Sequence, residues 1–399
     1  MRMMIVQYAG DYREAFERFA SGGIATYQAQ RYSVDFVGSL AQRMEQVTVV
    51  CAVCEEPYDV LLSNGVRAIG AGLKPGFSPY ELVPILARTA PDRLCLTTPM
   101  VPLLRWARRH RVRTITAIAD YFRKGGPRTA LRNWFTAREL NRPNVDWVGN
   151  HQIGACLSLL DIGVEPDKVI PWDWPPSHRP ADHAPRERDP SKPLRLVYVG
   201  LVEEAKGVGD VLRALKKVKS EGLDVSLTVI GRDAEGKMAQ LASSLGLDDA
   251  VRFAGLIPNE DVPAAMRAAD AVAIPSRHEY PEGLPLTIYE ALAARTPIIA
   301  SDHPMFRGAL VHEQSALIFL GSNADALASA IRRLADDAEL YARLSALSEQ
   351  AWQALQLPVR WGDLLEKWLS DSPADRQWLW EHRLSSGLYE QQIRARRET

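Results

Sequence analysis

Glu282-Gly283-Leu284-Pro285-Leu286-Thr287-Ile288-Tyr289-Glu290 is the stretch on which the reading of this chain turns. Seven residues separate its two carboxylates. The first stands beside glycine and the second lies inside an apolar run. Ile274-Pro275-Ser276 closes a strand-like stretch just upstream, and Leu292-Ala293-Ala294-Arg295-Thr296-Pro297-Ile298-Ile299-Ala300 follows. The order strand, loop, helix places Glu282 in a loop at the carboxyl end of a strand, where open α/β sheets bind ligands. Pro285 suits the first helical turn, where its missing N–H has no partner to lose. The N–H groups of Gly283 and Leu284 then lie beside a helix N-terminus, which favours an anion. Glu290 falls about one and a half turns into the helix, where it can accept hydrogen bonds from a diol.

Further pieces lie upstream in a fixed order. Val199-Gly200-Leu201-Val202-Glu203-Glu204-Ala205-Lys206-Gly207 leaves a strand and opens a helix. Gly200 permits a tight turn, and Lys206 beside the helix start can neutralise phosphate oxygens. Ile230-Gly231-Arg232-Asp233 ends the next strand, and Val251-Arg252-Phe253-Ala254-Gly255-Leu256-Ile257-Pro258 ends the one after. Ala269-Asp270 then precedes the strand at 271–275.

This ordered set resembles family 4 of the retaining, nucleotide-sugar-dependent glycosyltransferases with the GT-B fold. The resemblance covers residues 195–320. It implies that Glu282 contacts the donor sugar and Glu290 the ribose hydroxyls. It implies that Gly200 and Gly231 approach the donor closely, and that Ile257 presents backbone groups to the nucleobase. Lys206 matches the lysine of the family's G-R-L-x-x-x-K-G stretch, whose Arg and Lys grip the donor diphosphate. Leu201 stands at the Arg position. An Arg offers phosphate a bidentate fork that Leu cannot replace. Either another cation, such as Arg277, supplies the charge, or the leaving group is less well stabilised.

The N-terminal match is thinner. Ser21-Gly22-Gly23-Ile24 resembles the family's Gly-Gly loop near the donor, and glycine allows close backbone approach. Thr116-Ala117-Ile118-Ala119-Asp120 ends a strand. Relatives carry a His before that Asp; Ala119 stands there instead, leaving Asp120 to bind a sugar hydroxyl, orient the acceptor or cap the strand. Asn150, His151, Ser158 and Gly163 to Pro171 resemble the closing stretch of the first domain. Trp172-Asp173-Trp174 departs from its Asn-Gly pattern, and the tryptophans either pack a hinge or face a sugar ring.

The chain of 399 residues has 46% hydrophobic and 24% charged residues and a net charge of −1. That is a globular composition with no nucleic-acid bias. The length suits two domains. The first residues are too short and too soon interrupted for a signal peptide, and no apolar run spans a bilayer. Four cysteines in a chain this size suggest a reducing compartment, so a cytoplasmic location is expected. Cys51-Ala52-Val53-Cys54 has redox or zinc spacing but no second pair, and core thiols are expected.

Strands are expected at 3–8, 47–53, 66–70, 93–98, 114–119, 145–149 and 168–171, with helices between, including 24–45 and 100–110. Alternating β and α implies a mostly parallel sheet covered on both faces. Residues 173–193 hold six prolines among mostly polar neighbours and read as a linker. A second series follows, with strands at 195–200, 225–230, 250–254, 271–275 and 297–301. Helices are expected at 207–221, 235–246, 260–269, 285–295 and 323–354. The expected layout is α/β, two Rossmann-like domains facing each other across a cleft. Residues 1–172 form an acceptor-side domain, 194–371 a nucleotide-sugar domain, and 372–399 a helix that crosses back to the first domain.

Residues 101–140 carry ten Arg and Lys against Asp120 and Glu139, with Trp106, Tyr121, Phe122, Trp134 and Phe135 interleaved. Such a segment suits an anionic bilayer surface, a phosphorylated acceptor, or a solvated helix face over core aromatics. The resemblance implies a hexosyl transfer from a UDP- or GDP-sugar to a saccharide or lipid-linked acceptor, with neither metal nor other cofactor required. Bacterial polysaccharide or glycolipid synthesis at the inner membrane face is the expectation by analogy. A GT-B nucleotide-sugar 2-epimerase and a non-catalytic nucleotide-sugar-binding protein are the rival readings.

Overall fold

A computed structural model describes residues 1–398. The chain divides into two compact units. The first joins Met1–Pro175 to Leu357–Ile393; the second joins Pro176–Gln356 to the segment from Arg394 onward.

Unit 1 is built on β1 (Arg2–Gln7), β2 (Gln46–Val53), β3 (Pro57–Leu61), β4 (Val66–Leu73), β5 (Arg93–Leu96), β6 (Arg113–Ile118), β7 (Val145–His151) and β8 (Val169–Trp172). The sheet order is β3-β4-β2-β1-β5-β6-β7-β8, and every pair is parallel except β3 with β4. Met3-Met4-Ile5-Val6 and Val47-Thr48-Val49-Val50 are buried throughout. Continuous apolar runs of this kind are what strands covered on both faces require. The cover comes from α1 (Tyr12–Ala20), α2 (Gln30–Ala41), α3 (Val83–Thr89), α4 (Val101–Arg109), α5 (Pro127–Leu140) and α6 (Gln152–Asp161).

Unit 2 uses β9 (Leu194–Val199), β10 (Val225–Ile230), β11 (Val251–Gly255), β12 (Ala271–Ile274), β13 (Ile298–Ser301) and β14 (Leu317–Phe319). Its order is β11-β10-β9-β12-β13-β14, parallel throughout. The helices are α7 (Val208–Ser220), α8 (Lys237–Ser244), α9 (Val262–Ala268), α10 (Leu286–Ala293), α11 (Ala324–Asp336) and α12 (Ala338–Leu355). The order reverses at β9, which has β10 on one side and β12 on the other. A doubly wound sheet binds its ligand outside the carboxyl ends at such a switch point.

The remaining helices are α13 (Trp361–Ser370), α14 (Pro373–Glu381) and α15 (Glu390–Glu398). Residues 357–371, expected in the second domain, pack in unit 1. The cause is the apolar face of α13, which buries Trp361, Leu364, Leu365 and Trp368 in the same core as Ile5, Val49 and Ile115. Trp368 Nε1 also donates to Asp146 at 2.7 Å. The expected crossing at 372 thus begins at Leu357. Thr399 lies outside the described residues.

Two further expectations change. The helix expected at 24–45 is the shorter α2, and α1, which precedes that span, was not expected. The helix expected at 323–354 breaks at Asp337, whose extended backbone and carboxylate cap α12 through Leu340 N at 2.8 Å. The proline-rich 173–193, expected as a linker, does hold the join between the units at Pro175 and Pro176, and residues on either side of that join pack within their own unit. Asp173 is buried in unit 1, and Arg186 donates to Ala269 O and Thr296 Oγ1 within unit 2. Trp172 and Trp174 pack edge to face at 5.0 Å, and Trp174 meets Trp361 at 5.5 Å. They therefore serve unit 1's own core.

Candidate donor site at the switch point of unit 2

Two glycines assemble the site. Gly231, just past β10, has φ +148°, and a Cβ there would stand 1.8 Å from Gly200 O. The turns after β9 and β10 can meet only because that position is bare. Gly207 has φ +78°, and a Cβ there would stand 2.1 Å from Pro275 O. This contact presses the loop before α7 onto the end of β12.

The press brings Lys206 to Glu282. Lys206 Nζ lies 2.6 Å from Glu282 Oε2, and Ser276 Oγ donates to the same oxygen at 2.7 Å. Both charged groups are largely removed from water. A buried pair of this kind is costly to keep and costly to break by halves. The Tyr280 ring lies 4.5 Å from Lys206 Nζ, within cation–π range. The loop carrying Tyr280 and Glu282 is tied down by His278 on Asp302 at 2.7 Å and by His303 on Tyr280 O at 3.2 Å.

Glu290 sits in the second turn of α10, 6% exposed. Burial pushes its carboxyl up from 4.5 to about 7, against a smaller lowering by the Asn259 side chain. It is a carboxyl poised near neutrality beside the switch point, able to donate as well as accept hydrogen bonds. Pro285 is the N-cap of α10 rather than its first residue, with no side-chain cap at that end. Leu284 is buried and Gly283 half-buried in the loop before it. Ile257 lines a groove of about 410 Å³ between α9 and the open face of β10 and β11.

Arg277 is the candidate cation to replace the arginine absent at Leu201. Its Nε and Nη2 instead lie 2.7 and 2.8 Å from the Asp210 carboxylate, and Nη2 lies 2.5 Å from Glu204. The pairing with Asp210 raises the guanidinium's pKa further. Two carboxylates from the α7 side hold it in place, so it ties loop to helix.

Gly22 and Gly23 do not follow β1 directly. They end α1, donating to Phe19 O at 3.1 Å and Arg18 O at 2.7 Å. A helix C-terminus takes glycine for its own closure, which accounts for the pair. The glycine straight after β1 is Gly10, with φ +92° and open space around it. Asp120, past the end of β6, is half-buried, and burial raises its carboxyl. Its carbonyl is held by Asn150 Nδ2 at 2.9 Å. His151 Nε2 and Gln152 Nε2 meet the Asp173 carboxylate at 3.0 and 2.7 Å, in the interior of unit 1.

Ser276, Asn259 and Tyr280 were not singled out as site residues. Ser276 had a visible signal, a Pro-Ser pair at a strand end. Asn259 and Tyr280 had none, since their roles come from neighbours distant in sequence. Among the described residues no cluster of three or more His, Cys, Asp or Glu could hold a metal ion.

Comparison with solved structures settles the architecture. Sucrose-phosphate synthase from Thermosynechococcus elongatus superposes with a TM-score of 0.67 at 18% identity, covering 93% of this chain and 100% of that one. The fold is GT-B. Anabaena HepE in complex with UDP-glucose gives a TM-score of 0.66 at 15% identity, with 93% and 100% covered. By sequence, residues 181–350 match the family Glycosyl transferases group 1. The amylovoran biosynthesis glycosyltransferase of Erwinia amylovora is 29% identical over 182 residues, 45% of this chain and 42% of that protein. This chain spans 34–42% of the length of the curated relatives it matches.

Proposed function

We propose that this chain is a retaining glycosyltransferase that moves a hexosyl unit from a UDP- or GDP-sugar to a saccharide or lipid-linked saccharide acceptor. The observation that carries the reading is the Lys206–Glu282–Ser276 cluster, with Glu290 on the following helix, at the switch point of a GT-B unit. The match of residues 181–350 to a glycosyltransferase family supports it. So does the UDP-glucose held by a protein of the same fold.

Lys206 stabilises the charge that grows on the departing diphosphate. Glu282 holds a sugar hydroxyl and keeps Lys206 oriented. Glu290, once ionised, accepts the two ribose hydroxyls. The acceptor oxygen bonds to the anomeric carbon on the face the diphosphate leaves. The bond from that carbon to the diphosphate breaks with its electron pair on oxygen, and a donor phosphate oxygen takes the acceptor proton. Asp120 orients the acceptor. No metal enters this scheme, so a chelator is expected to leave turnover unchanged.

The product belongs to bacterial polysaccharide or glycolipid assembly at the inner face of the membrane. The outer side of α5 favours that location. Leu131 and Trp134 are exposed there beside Arg128 and Arg132, and Arg138 lies 5.2 Å from the Trp134 ring. Exposed apolar groups among cations suit an anionic lipid surface. No helix among the described residues is long and apolar enough to cross a membrane.

The test is incubation with UDP- and GDP-hexoses and a saccharide acceptor panel, with the anomeric configuration of the product read by NMR. Release of nucleoside diphosphate with retained configuration is expected. Interconversion of the donor sugar without acceptor would instead establish the 2-epimerase. Exposed Leu201 and the engaged Arg277 favour a second reading, a non-catalytic binding protein. Tight donor binding with neither transfer nor hydrolysis would establish that one.

A further inference from the structure

The charge balance around the switch point leaves a diphosphate short of cations. Lys206 is matched by Glu282. Arg277 and Arg213 are both matched by Glu204 and Asp210. Glu204 also lies over the start of α7, since a Cβ on Gly209 would stand 2.1 Å from its Oε2. That carboxylate screens the helix end that would otherwise attract an anion. Leu201 is 46% exposed where the turn after β9 meets solvent. Three cations thus face three carboxylates, and none is spare.

One cation nearby has no such partner. Arg232 follows Gly231 at the carboxyl end of β10 and is exposed. Among the described residues no ion pair or hydrogen bond engages its guanidinium. Its backbone is fixed against the turn that carries Leu201, because Val202 N donates to Arg232 O at 3.4 Å. Gly200 N donates to Ile230 O at 3.0 Å, and Gly231 N to Gly255 O at 2.8 Å. Three strand ends are therefore stitched together, with Arg232 on the seam. The adjacent Asp233 makes no ion pair with it; Asp233 Oδ2 accepts from Met238 N and Ala239 N at the start of α8.

Resting on the donor reading above, we propose that Arg232 is the second diphosphate-binding cation, reaching past Leu201 to phosphate oxygens that Lys206 alone leaves unmatched. A guanidinium offers those oxygens two parallel N–H groups and stays charged at any working pH. Supplied from the turn after β10 rather than the turn after β9, it does the work that Leu201 cannot.

The test is calorimetric titration of UDP, UMP and uridine, with the GDP series in parallel, into the parent chain, Arg232→Gln, Arg232→Lys and Glu290→Ala. Lys216→Gln, on the exposed side of α7, is the surface-charge control. Arg232→Gln is expected to weaken the diphosphate between about tenfold and a hundredfold, the monophosphate less, and the nucleoside not at all. Arg232→Lys is expected to recover part of the loss, and Lys216→Gln to behave as the parent. Glu290→Ala is expected to weaken all three ligands of a series alike. Melting temperatures without ligand check that each variant folds. Parent-like diphosphate affinity in Arg232→Gln, with Glu290→Ala impaired, overturns the role of Arg232 and leaves the donor reading intact. If neither series binds the parent, the donor reading falls and this proposal with it.

Discussion

Glu290 carries the most quantitative consequence at the scale of single residues. Its carboxyl is raised by burial from 4.5 to about 7, so the folded chain prefers it protonated. The stability that preference gives is complete below pH about 4.5 and declines as pH rises to about 7, by about 3 kcal/mol in all. Glu290→Gln, neutral at every pH, is expected to abolish that slope. By calorimetry the variant should melt above the parent, by on the order of 6 °C, at pH about 8, and should match it at pH about 4.5. Donor binding should run the other way. A diol bonded to the carboxylate favours ionisation, so parent affinity should rise between pH about 6 and about 8, and the variant should show no such rise. Lys206→Met leaves buried Glu282 without its cation, held by the Ser276 hydroxyl. It should lower the transfer rate by about 10²–10³-fold, measured at saturating donor. At this scale the sequence was legible only in part. The positions of Glu282, Glu290 and Lys206 could be read from local order. The pairing of Arg277 could not, because Asp210 and Glu204 lie 67 and 73 residues away in sequence.

At the scale of elements, the site depends on backbone contacts that admit no side chain. Gly207→Ala would place a methyl group 2.1 Å from Pro275 O at φ +78°. It should cost at least about 1–3 kcal/mol and part Lys206 from Glu282. Loss of donor binding should then accompany the lower denaturant midpoint, whereas a merely destabilised chain would bind normally once folded. The outer face of α5 gives a separate prediction. Leu131→Ser with Trp134→Ser should release the chain from vesicles containing anionic lipid, measured by co-sedimentation, and leave turnover on a soluble acceptor unchanged. Not all of the basic run is available for such a surface. Arg105 and Arg108 pair with buried Glu139, and Arg113 pairs with Asp146 and Asp371. The long parallel strands were readable because burial on both faces makes them continuous apolar runs. β3 was not, since its residues alternate between exposed and half-buried at a sheet edge, and β14 has only three residues.

The whole molecule shows where sequence reading ends. A parallel α/β chain of two domains could be read from alternating elements and a proline-rich join. The return of the chain at Leu357 could not, because the segment after α12 carries an apolar face whatever core it joins. Only the packing of Trp361 against Phe36 and of Trp368 beside Asp146 assigns it to unit 1. A chain ending at Gln356 would leave that core bare, and should express as aggregate or show no cooperative melting of unit 1. Trp361→Ala in the full chain should cost about 3–5 kcal/mol, read from denaturant unfolding. The central claim is that unit 2 binds a nucleoside diphosphate through Lys206, Glu282 and Glu290. It is tested most directly by melting the parent and Glu290→Ala in the presence of UDP, GDP and ADP. A rise in melting temperature with one of these nucleotides, absent in Glu290→Ala, is the predicted result. No shift of the parent with any of them, or an equal shift in both proteins, would contradict the account.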